Sequence, residues 1–363
     1  MMPTFGHSQR LCSVLAAGLM LGALTPGGSG AVRTADPADE LASFRLAPGF
    51  QANLFASEAD GVAKPIQIRF DASGRLWAAC STMYPQPEPG QKPEDRIVVL
   101  EDRDGDGRAD RSTVFADDLV VPTGLELDTH GVWVGHGTEL LFLRDTDGDG
   151  RADRREVVLR GFGTGDSHQN LNSFGWSPGG QLFLSQGLHA FSNVETPHGV
   201  VRLHEAGFWR FTPAELRLEP FLGRGVAPHN PWGFAWDDWF APFMFAGNGH
   251  GIYYVTPLLV GTDHRHEFQK IFRDGPKYCG ADVVGTRHLP EALQGCFIAG
   301  GFMNNRLCVF RAEDDGAGFA LREETPLLTS TDVSFRPVDV KIGPDGAIYV
   351  ADWFNPIIGH YQH

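Results

Sequence analysis

Residues 168–187 read His-Gln-Asn-Leu-Asn-Ser-Phe-Gly-Trp-Ser-Pro-Gly-Gly-Gln-Leu-Phe-Leu-Ser-Gln-Gly. Two short apolar runs, 174–176 and 182–184, flank a Pro-Gly-Gly turn, and this pattern predicts a two-stranded hairpin. The second strand returns to where the first began. The polar residues at the two ends, which include His168, Asn170 and Asn172, are therefore predicted to lie on one side of the molecule.

The same unit of an apolar run, a turn and a second apolar run recurs along the chain. Its six copies cover residues 65–79, 122–135, 171–186, 231–247, 281–300 and 337–351. Further strand-like runs lie between the copies, and four strands per repeat are typical of a β-propeller. The sequence predicts an all-β fold over residues 46–363, a six-bladed β-propeller with four-stranded antiparallel blades around a central channel. A strand at 51–56 is predicted to complete the last blade; a two-sheet sandwich and a β-solenoid are the alternatives.

The N-terminus has the features of an export signal. Arg10 precedes an apolar run at 11–24, and the small residues Ser29 and Ala31 suit a cleavage site. Residues 1–31 are thus predicted to be a signal peptide and residues 32–45 a polar linker, which makes the protein periplasmic or secreted. An uncleaved N-terminal anchor is the alternative. The formal net charge of −15 argues against a nucleic-acid partner.

Four cysteines follow the predicted signal peptide: Cys80, Cys279, Cys296 and Cys308. An oxidising compartment permits disulfides, and four cysteines allow three pairings, which the sequence leaves open. No Cys-x-x-Cys-His motif occurs, so the chain is predicted to carry no c-type haem.

Two segments carry aspartates at alternate positions with a glycine at the sixth, as calcium loops do. The first contains Asp102, Asp104, Asp106 and Asp110, and the second contains Asp145, Asp147, Asp149 and Asp153, with Glu156 at the twelfth position. Thr113 takes that position in the first loop. Calcium is predicted chiefly at the second loop, in a structural role, because both loops fall on the face opposite the polar cluster. The alternative is a tight Asp-Gly turn that repeats because blades repeat.

In a propeller, the loops that enter strand one and leave strand two of each blade meet at one mouth of the channel. Four histidines fall on this predicted face: His136, His168, His229 and His250. A concave site with convergent polar groups is the default place for a ligand, and histidine suits proton abstraction near neutral pH. Each side chain can equally serve to satisfy buried backbone groups in crowded loops.

Several motifs resemble the soluble quinoprotein glucose/sorbosone dehydrogenases. They are Ser-His168-Gln with the hairpin that follows, Phe-Trp-Arg-Phe at 208–211, His229-Asn230-Pro-Trp-Gly-Phe, and the closing segment from Arg336 to Asn355. The sequence is most similar to the propeller module of the membrane-bound dehydrogenases of planctomycetes and verrucomicrobia. The resemblance covers residues from about 46 to the end and implies an exported sugar dehydrogenase with pyrroloquinoline quinone as cofactor.

The resemblance also implies roles for particular residues. His168 takes the position of the general base, and the candidate cofactor-binding residues are Asn230, His229, Arg336, Asn304 and Asn170. The chain departs from the family pattern because His229 replaces an arginine, Asn304 or Asn305 replaces a lysine and Val338 replaces a second arginine. The quinone has three carboxylates that favour cationic partners. The electron acceptor is then a cytochrome on another chain or a soluble carrier.

Two other functions stay open. One is a non-catalytic propeller that binds glycans or a partner protein through the same mouth. The other is a lactonase-type hydrolase with a metal in the channel, for which Asp352 is the main carboxylate on the predicted face.

Overall fold

The computed structural model describes residues 9–15, 36–223, 229–246, 251–255, 269–272 and 275–358. It contains the hairpin that the sequence predicts between residues 168 and 187. Its strands are Asn172–Trp176 and Leu182–Gln186, joined by a turn in which Gly180 has a φ of 78°. The ring of Phe174 fits beside the neighbouring hairpin because Gly124 leaves room for it. A Cβ at Gly124 would lie 2.2 Å from that ring.

The described strands form six sheets, and five of them are antiparallel blades. Blade one contains β4 (Pro65–Phe70), β5 (Leu76–Cys80), β6 (Asp95–Glu101) and β7 (Arg111–Leu119). Blade two contains β8 (Pro122–Asp128), β9 (Gly131–His136), β10 (Glu139–Arg144) and β11 (Arg154–Arg160), and it is extended by β14 (Phe191–Thr196) and β15 (Gly199–His204). Blade three contains β12 (Asn172–Trp176), β13 (Leu182–Gln186), β16 (Gly207–Thr212) and β17 (Arg217–Leu222).

Blade four contains β18 (Pro231–Trp236), β19 (Pro242–Ala246), β20 (Ile252–Tyr254) and β21 (Gln269–Phe272). Blade five contains β22 (Cys279–Val283), β23 (Phe297–Gly301), β24 (Arg306–Asp315), β25 (Gly318–Glu323), β26 (Leu328–Ser330) and β2 (Phe44–Leu46). The last sheet, here named the closing sheet, contains β27 (Pro337–Ile342), β28 (Ile348–Asp352), β1 (Gln9–Leu15) and β3 (Phe50–Ala56).

The first strand of each sheet contacts the first strand of the next, and the last of these contacts closes the circle between β27 and β4. The all-β class and the propeller arrangement are therefore confirmed, but the prediction of six antiparallel blades is wrong. The structure has five, because the closing sheet is mixed: β1 runs parallel to both of its neighbours. Strand β3 lies at the outer edge of that sheet, but it reaches β28 only through β1.

Apolar clusters between neighbouring sheets hold the ring together. One cluster lies between blade one and the closing sheet and includes Ile68, Phe55 and Tyr349, while another packs Trp209 and Phe211 of blade three against Trp133 of blade two. Many of these strands are buried on both faces, as in β13 and β28, which are buried along their whole length. Two-sided burial explains why the strands read as continuous apolar runs rather than as alternating ones.

The segment predicted to be a polar linker contains regular structure. Helix α1 (Pro37–Ser43) begins after Asp36, whose side chain accepts a hydrogen bond from the Ala38 backbone, and Pro37 occupies its first turn. Strand β2 follows directly and pairs with β26. None of the helices in the described part of the chain is long and apolar enough to cross a membrane.

The four cysteines that follow the predicted signal peptide are buried and free, so none of the three possible pairings is formed. Burial raises the pKa of the Cys80 and Cys308 thiols to about 12. These thiols are therefore protonated at neutral pH and pack as small apolar side chains.

Candidate functional site

The inner strands leave a pocket at the channel, lined by side chains from all five blades and the closing sheet. Its polar lining includes Gln67, Arg69, Thr123, His168, Asn172, Asn230, Lys277, Asp339 and Lys341, and its large aromatic residues include Tyr84, Phe174, Trp232, Phe302 and Trp353. Polar residues from every sheet thus converge at the channel. The arrangement is a concave site with both polar and aromatic walls.

His168 lies in a single 3₁₀ turn, Ser167–Gln169, directly before β12. Asp166 caps this turn, because its side chain accepts a hydrogen bond from the backbone N–H of His168. The same carboxylate oxygen contacts Nδ1 of the His168 ring. His168 is 7% exposed and Asp166 is fully buried, so the pair is largely withdrawn from solvent at the edge of the pocket.

The hydrogen bonds around His168 indicate which ring nitrogen accepts a proton. The side-chain oxygen of Gln169 accepts a hydrogen bond from the His189 backbone N–H at 2.6 Å, so its amide nitrogen faces the other way. That nitrogen lies 3.5 Å from Nε2 of His168. An amide nitrogen is a donor, so we assign Nε2 as the acceptor and Nδ1 as the protonated nitrogen that faces Asp166. This tautomer is the one that a general base requires.

Three further groups in the pocket can bind a polar ligand. Oδ1 of Asn230 and Nε1 of Trp232 are buried and have no hydrogen-bond partner among the described residues. Lys277 lines the same pocket, and no described carboxylate lies within ion-pair distance of its ammonium group. A buried unpaired acceptor, a buried unpaired donor and a cation therefore face one cavity.

Aromatic rings form the walls around these groups. The ring of Trp232 stacks over Phe302 with centroids 6.2 Å apart, and Tyr84 meets Trp353 edge to face at 5.4 Å. The His168 ring lies 5.9 Å from the Trp232 ring, which brings the imidazole next to a flat apolar surface. Such surfaces bind planar ring systems and the apolar faces of sugars.

Arg336, a predicted cofactor ligand, does not line the pocket, because its guanidinium is used by backbone carbonyls. It donates to the carbonyls of Phe302 at 2.8 Å, Asn355 at 2.9 Å and Pro356 at 3.4 Å. Burial lowers its pKa. Since Phe302 is a wall of the pocket and the Trp353 N–H donates to the Arg336 carbonyl, Arg336 holds the aromatic walls from behind.

The structure separates the other candidate cofactor residues from Asn230, which does line the pocket. His229 and Asn304 are exposed, and Asn170 is buried outside the lining. Asn305 donates to the carbonyls of Val333 and Phe335. The cations that the family pattern puts at these places therefore have no direct substitute there.

The four histidines predicted at the channel mouth do not share one environment. His168 lines the pocket, whereas Nε2 of His136 accepts a hydrogen bond from the Val120 backbone, and burial lowers the pKa of His136. His250 lies outside the described residues. The site candidates predicted from the sequence did not include Asp166, Trp232 or Lys277. The position of Lys277 ahead of β22 and that of Trp232 in β18 were the signals that could have found them.

A family model described as a domain of unknown function, DUF7133, matches residues 36–363. The chain belongs to the DUF7133 family. The match begins at Asp36 and so includes α1 and β2. A comparison with curated proteins finds no significant match.

Solved structures show which fold the DUF7133 domain shares. An oxidoreductase described as a glucose dehydrogenase, from Thermus thermophilus, is 19% identical with a TM-score of 0.56, over 80% of this chain and 90% of the other. The PQQ-bound aldose sugar dehydrogenase from Streptomyces coelicolor is 14% identical with a TM-score of 0.54, and the match covers 79% of this chain and 87% of the other. The PQQ domain of pyranose dehydrogenase from Coprinopsis cinerea is 12% identical with a TM-score of 0.54, and the match covers 85% of this chain and 94% of the other. The fold of the DUF7133 domain is thus that of sugar dehydrogenase propellers.

A buried carboxyl pair links helix α1 to the rim of this domain's pocket. Glu40 is 1% exposed and Asp352 is fully buried, and Oδ1 of Asp352 accepts hydrogen bonds from the backbones of Arg336 and Phe354. Burial and then the charge of Asp352 raise the pKa of Glu40 to about 11, and burial raises the pKa of Asp352 to about 6. Asp332 and Glu58 add negative charge, and burial lowers the pKa of nearby Lys64.

The carboxyl pair predicts a pH dependence of stability. Both carboxyl groups have a higher pKa in the folded protein than in the unfolded chain, where it is near 4. Their contribution to the unfolding free energy is therefore fully present below pH 4, and it is lost as the pH rises through 6 and towards 11. We expect Glu40→Gln to reduce the fall in unfolding free energy between pH 5 and pH 8 by about 1–3 kcal/mol. Guanidinium unfolding at both pH values measures it. Asp39→Asn, an exposed change in the same helix, is the control, and equal slopes in all three proteins contradict the prediction.

The two aspartate loops have the same backbone geometry in the structure. In each, the first aspartate accepts hydrogen bonds from two glycine N–H groups, and the first three carboxylates come within 4.8 Å of one another. Asp110 and Asp153 instead accept bonds from the backbone of their own loops. The Glu156 carboxylate lies 3.4 Å from Arg144 and is not part of the cluster. Each loop also joins two sheets, through Ala109 to Phe55 and through Ala152 to Phe115.

Calcium binding at these loops remains a prediction, and the geometry says what it would change. Because each loop bridges neighbouring sheets, calcium at 100 times its Kd is expected to add about 2.7 kcal/mol to the unfolding free energy per site. In calorimetry with calcium, Asp147→Ala is expected to lack the binding heat of one site. Asp315→Ala, which alters an exposed carboxylate in another turn, is the control. Calcium heat that is unchanged in Asp147→Ala, or none in the unmodified chain, contradicts the prediction.

Proposed function

We propose that this DUF7133 protein is an exported dehydrogenase that oxidises a sugar or a related alcohol, with His168 as the general base. The observation that carries the proposal is the His168–Asp166 pair, whose hydrogen bonds leave Nε2 as the acceptor beside the pocket. A propeller fold shared with sugar dehydrogenases supports the substrate class. The aromatic walls beside polar groups agree with a ring-shaped, hydroxyl-rich ligand.

In the proposed reaction, Nε2 of His168 takes the proton of a substrate hydroxyl as the C–H hydrogen leaves with its electron pair. Asp166 stabilises the imidazolium that forms, because its carboxylate contacts the protonated Nδ1. Asn230 is a nearby side chain that can orient a hydroxyl group, because its Oδ1 is buried without a partner among the described residues. The site is largely withdrawn from solvent, which strengthens the interaction between Asp166 and the imidazolium.

Pyrroloquinoline quinone, when bound, supplies a two-electron acceptor for the hydride. Trp232 and Phe302 would pack against the ring of this group, and Lys277 would hold one of its carboxylates. Nε1 of Trp232 would donate to another of its oxygens. Arg69 and Lys341 already lie against described carboxylates, so Lys277 replaces the predicted Arg336 as the cation that would hold the quinone.

We expect the quinone to bind with a Kd on the order of micromolar, because one cation faces three carboxylates. Lys277→Met is expected to weaken binding about tenfold to hundredfold, the loss that removing a charged hydrogen bond causes. Titration followed by tryptophan fluorescence measures it, with the exposed Lys92→Met as control. Equal affinity in both variants contradicts the assignment of Lys277.

The direct test is reconstitution of the purified protein with calcium, the quinone and an artificial electron acceptor, screened over aldoses and polyols. Turnover that depends on His168 supports the proposal. Saturable sugar binding without turnover would instead favour a glycan-binding propeller. The hydrolase alternative loses support because Asp352 does not line the pocket, and Glu126 and Asp339 pair with Arg69.

Export is part of the proposal. Residues 1–31 serve as the signal peptide, the protein acts in the periplasm or outside the cell, and a cytochrome on another chain accepts the electrons. The N-terminal residue of the protein recovered from the exporting cell tests the first statement. A start near residue 32 agrees with it, and an intact N-terminus contradicts it.

A further inference from the structure

A hairpin outside the regular blade pattern lies beside the His168 turn. Strands β14 and β15 occur between β13 and β16 in the chain, although β13 and β16 pair directly with each other. The hairpin instead extends blade two, where Glu195 of β14 pairs with Arg160 of β11. Blade three has its four strands without residues 187–206, here named the insertion. The contacts of the insertion therefore indicate its role.

Glycines let the insertion lie directly against the segment that leads to His168. Three of them stand at alternate positions of this segment: Gly161, Gly163 and Gly165. A Cβ on any of the three would lie 2.1–2.4 Å from a backbone atom of residues 189–193. The Asn193 N–H donates to the Gly161 carbonyl, and the Gly163 N–H donates to the Ser192 hydroxyl, both at 2.8 Å. The two segments are thus in direct backbone contact.

Gln186 fastens the insertion to blade three. Its side-chain nitrogen donates to backbone carbonyls of the insertion at 2.7–3.1 Å, those of Ala190, Leu203 and Glu205. Its side-chain oxygen accepts from the Ser192 hydroxyl at 2.7 Å and from Nε1 of Trp209 at 2.9 Å. Gln186 is 1% exposed and is the last residue of β13, so these bonds tie the insertion to the buried end of that strand.

The start of the insertion holds Gln169, the residue that follows His168. The Gln169 carbonyl accepts from the Gly187 N–H at 3.0 Å, and its side-chain oxygen accepts from the His189 N–H at 2.6 Å. A Cβ at Gly187 would lie 2.5 Å from Cγ of Gln169, so the glutamine side chain is also confined sterically. Its amide nitrogen is thereby directed to Nε2 of His168, 3.5 Å away.

The Gln169 amide opposes the effect of Asp166 on the ring. The buried Asp166 carboxylate contacts Nδ1 and favours the positively charged imidazolium. A donor that faces Nε2 favours the neutral ring, because its hydrogen bond is lost when Nε2 binds a proton. Further titratable or charged residues come from the start of the insertion, the loop beside it and the pocket lining: His189, His229, Arg69, Lys277, Lys341 and Asp339. The Asp339 carboxylate is paired with Arg69 at 3.0 Å.

We propose that Gln169 is a positioning residue that keeps His168 unprotonated at Nε2, and that the insertion holds Gln169 in this role. The inference rests on the proposed role of His168 as the general base. A base must be free of a proton at the nitrogen that faces the substrate, and the buried Asp166 beside it works against this. At 3.5 Å the Gln169 contact is weak, so a substrate hydroxyl can take its place at Nε2.

Gln169→Met is the main test, because methionine has a similar length but cannot donate to Nε2. Nitrogen NMR of the protein with ring-labelled histidine reads the protonation of each imidazole, and comparison with His168→Gln identifies the His168 signal. Without cofactor or substrate, we expect a neutral ring in the unmodified protein at neutral pH and an imidazolium in Gln169→Met. Gln181→Met makes the same change in the turn between β12 and β13 and is expected to leave the ring neutral.

Gly165→Ala tests the part played by the insertion. Its Cβ would lie 2.4 Å from the His189 carbonyl oxygen, so the insertion must move and release the Gln169 side chain. We expect the His168 signal to move in the same direction as in Gln169→Met. The control is Gly175→Ala in β12, because a Cβ there meets no atom within 4 Å. If Gln169→Met does not fold, Gly165→Ala decides the question by the same signal.

Kinetics of the reconstituted protein give a second measurement. In Gln169→Met we expect kcat to fall about tenfold at neutral pH and to recover as the pH rises, because the extra proton is then lost. A fall in kcat that is equal at all pH values indicates a structural role alone and overturns the proposal. A His168 ring that stays neutral in Gln169→Met, or that is charged in the unmodified protein, also overturns it. A lack of sugar oxidation defeats the proposed function but leaves the NMR result unaffected, so the two proposals fail separately.

Discussion

Replacing His168 with Gln is expected to lower kcat for sugar oxidation by about 10²–10⁴-fold, the contribution of a positioned general base. Glutamine keeps much of the shape of the ring but cannot take a proton. Steady-state kinetics with the reconstituted protein measure the loss. The matched control is His198→Gln, because His198 is exposed and bonds the Glu215 carbonyl away from the pocket.

Asp166→Asn tests how the base is held in place. The carboxylate contacts Nδ1 of the ring and accepts from the His168 backbone, so the amide is expected to disturb both the tautomer and the turn. We expect kcat to fall about tenfold or more with little change in KM, because the loss appears chiefly when the imidazolium forms. A variant that loses only substrate affinity would contradict this role. Full activity in His168→Gln would contradict the whole assignment.

Arg69→Met is expected to lower the unfolding free energy by about 3–5 kcal/mol, the cost of leaving buried charges without a partner. Arg69 lies on the first strand of blade one. Its guanidinium contacts Glu126 of blade two at 2.7 Å and Asp339 of the closing sheet at 3.0 Å, and it donates to the Phe174 carbonyl of blade three. A single side chain therefore ties four sheets together across the channel. Guanidinium unfolding measures the effect.

The control for this prediction has the same ion-pair distance but more exposure. Arg75 contacts Asp71 at 2.7 Å with a side chain that is 41% exposed, against 10% for Arg69. Arg75→Met is expected to cost less than about 1 kcal/mol because water screens the pair. Adding Glu126→Gln and Asp339→Asn to Arg69→Met is expected to restore most of the loss. Equal costs for the two arginines would contradict the role of burial.

The hairpins were predictable from the sequence because a turn between two apolar runs is a local pattern. The copies beginning at residues 65, 122, 171, 231, 281 and 337 correspond to β4–β5, β8–β9, β12–β13, β18–β19, β22–β23 and β27–β28. The blade count failed because it depends on which distant segment fills the third place of the last sheet. Strand pairing between residues 9–15 and residues 348–352 leaves no local signal.

The candidate site was also only partly predictable from the sequence. His168 and Asn230 were found because strand ends that enter a propeller's inner strands face the channel, and both line the pocket. Arg336 was predicted by the same rule, yet three carbonyls from two loops use its guanidinium. Lys277 lines the pocket with no described carboxylate in reach, and which carboxylates lie near it depends on the other sheets around the channel.

The sequence by itself determined the strands and turns of the hairpins, because each depends on residues that are neighbours in the chain. The tertiary structure decided which charged groups are paired. Asp166 lies two residues before His168, and its contact with the ring depends on the turn that it caps. The partners of Arg69, Arg336 and Asp352 come from other sheets. Free energies of buried charges depend on such partners, and sequence distance does not reveal them.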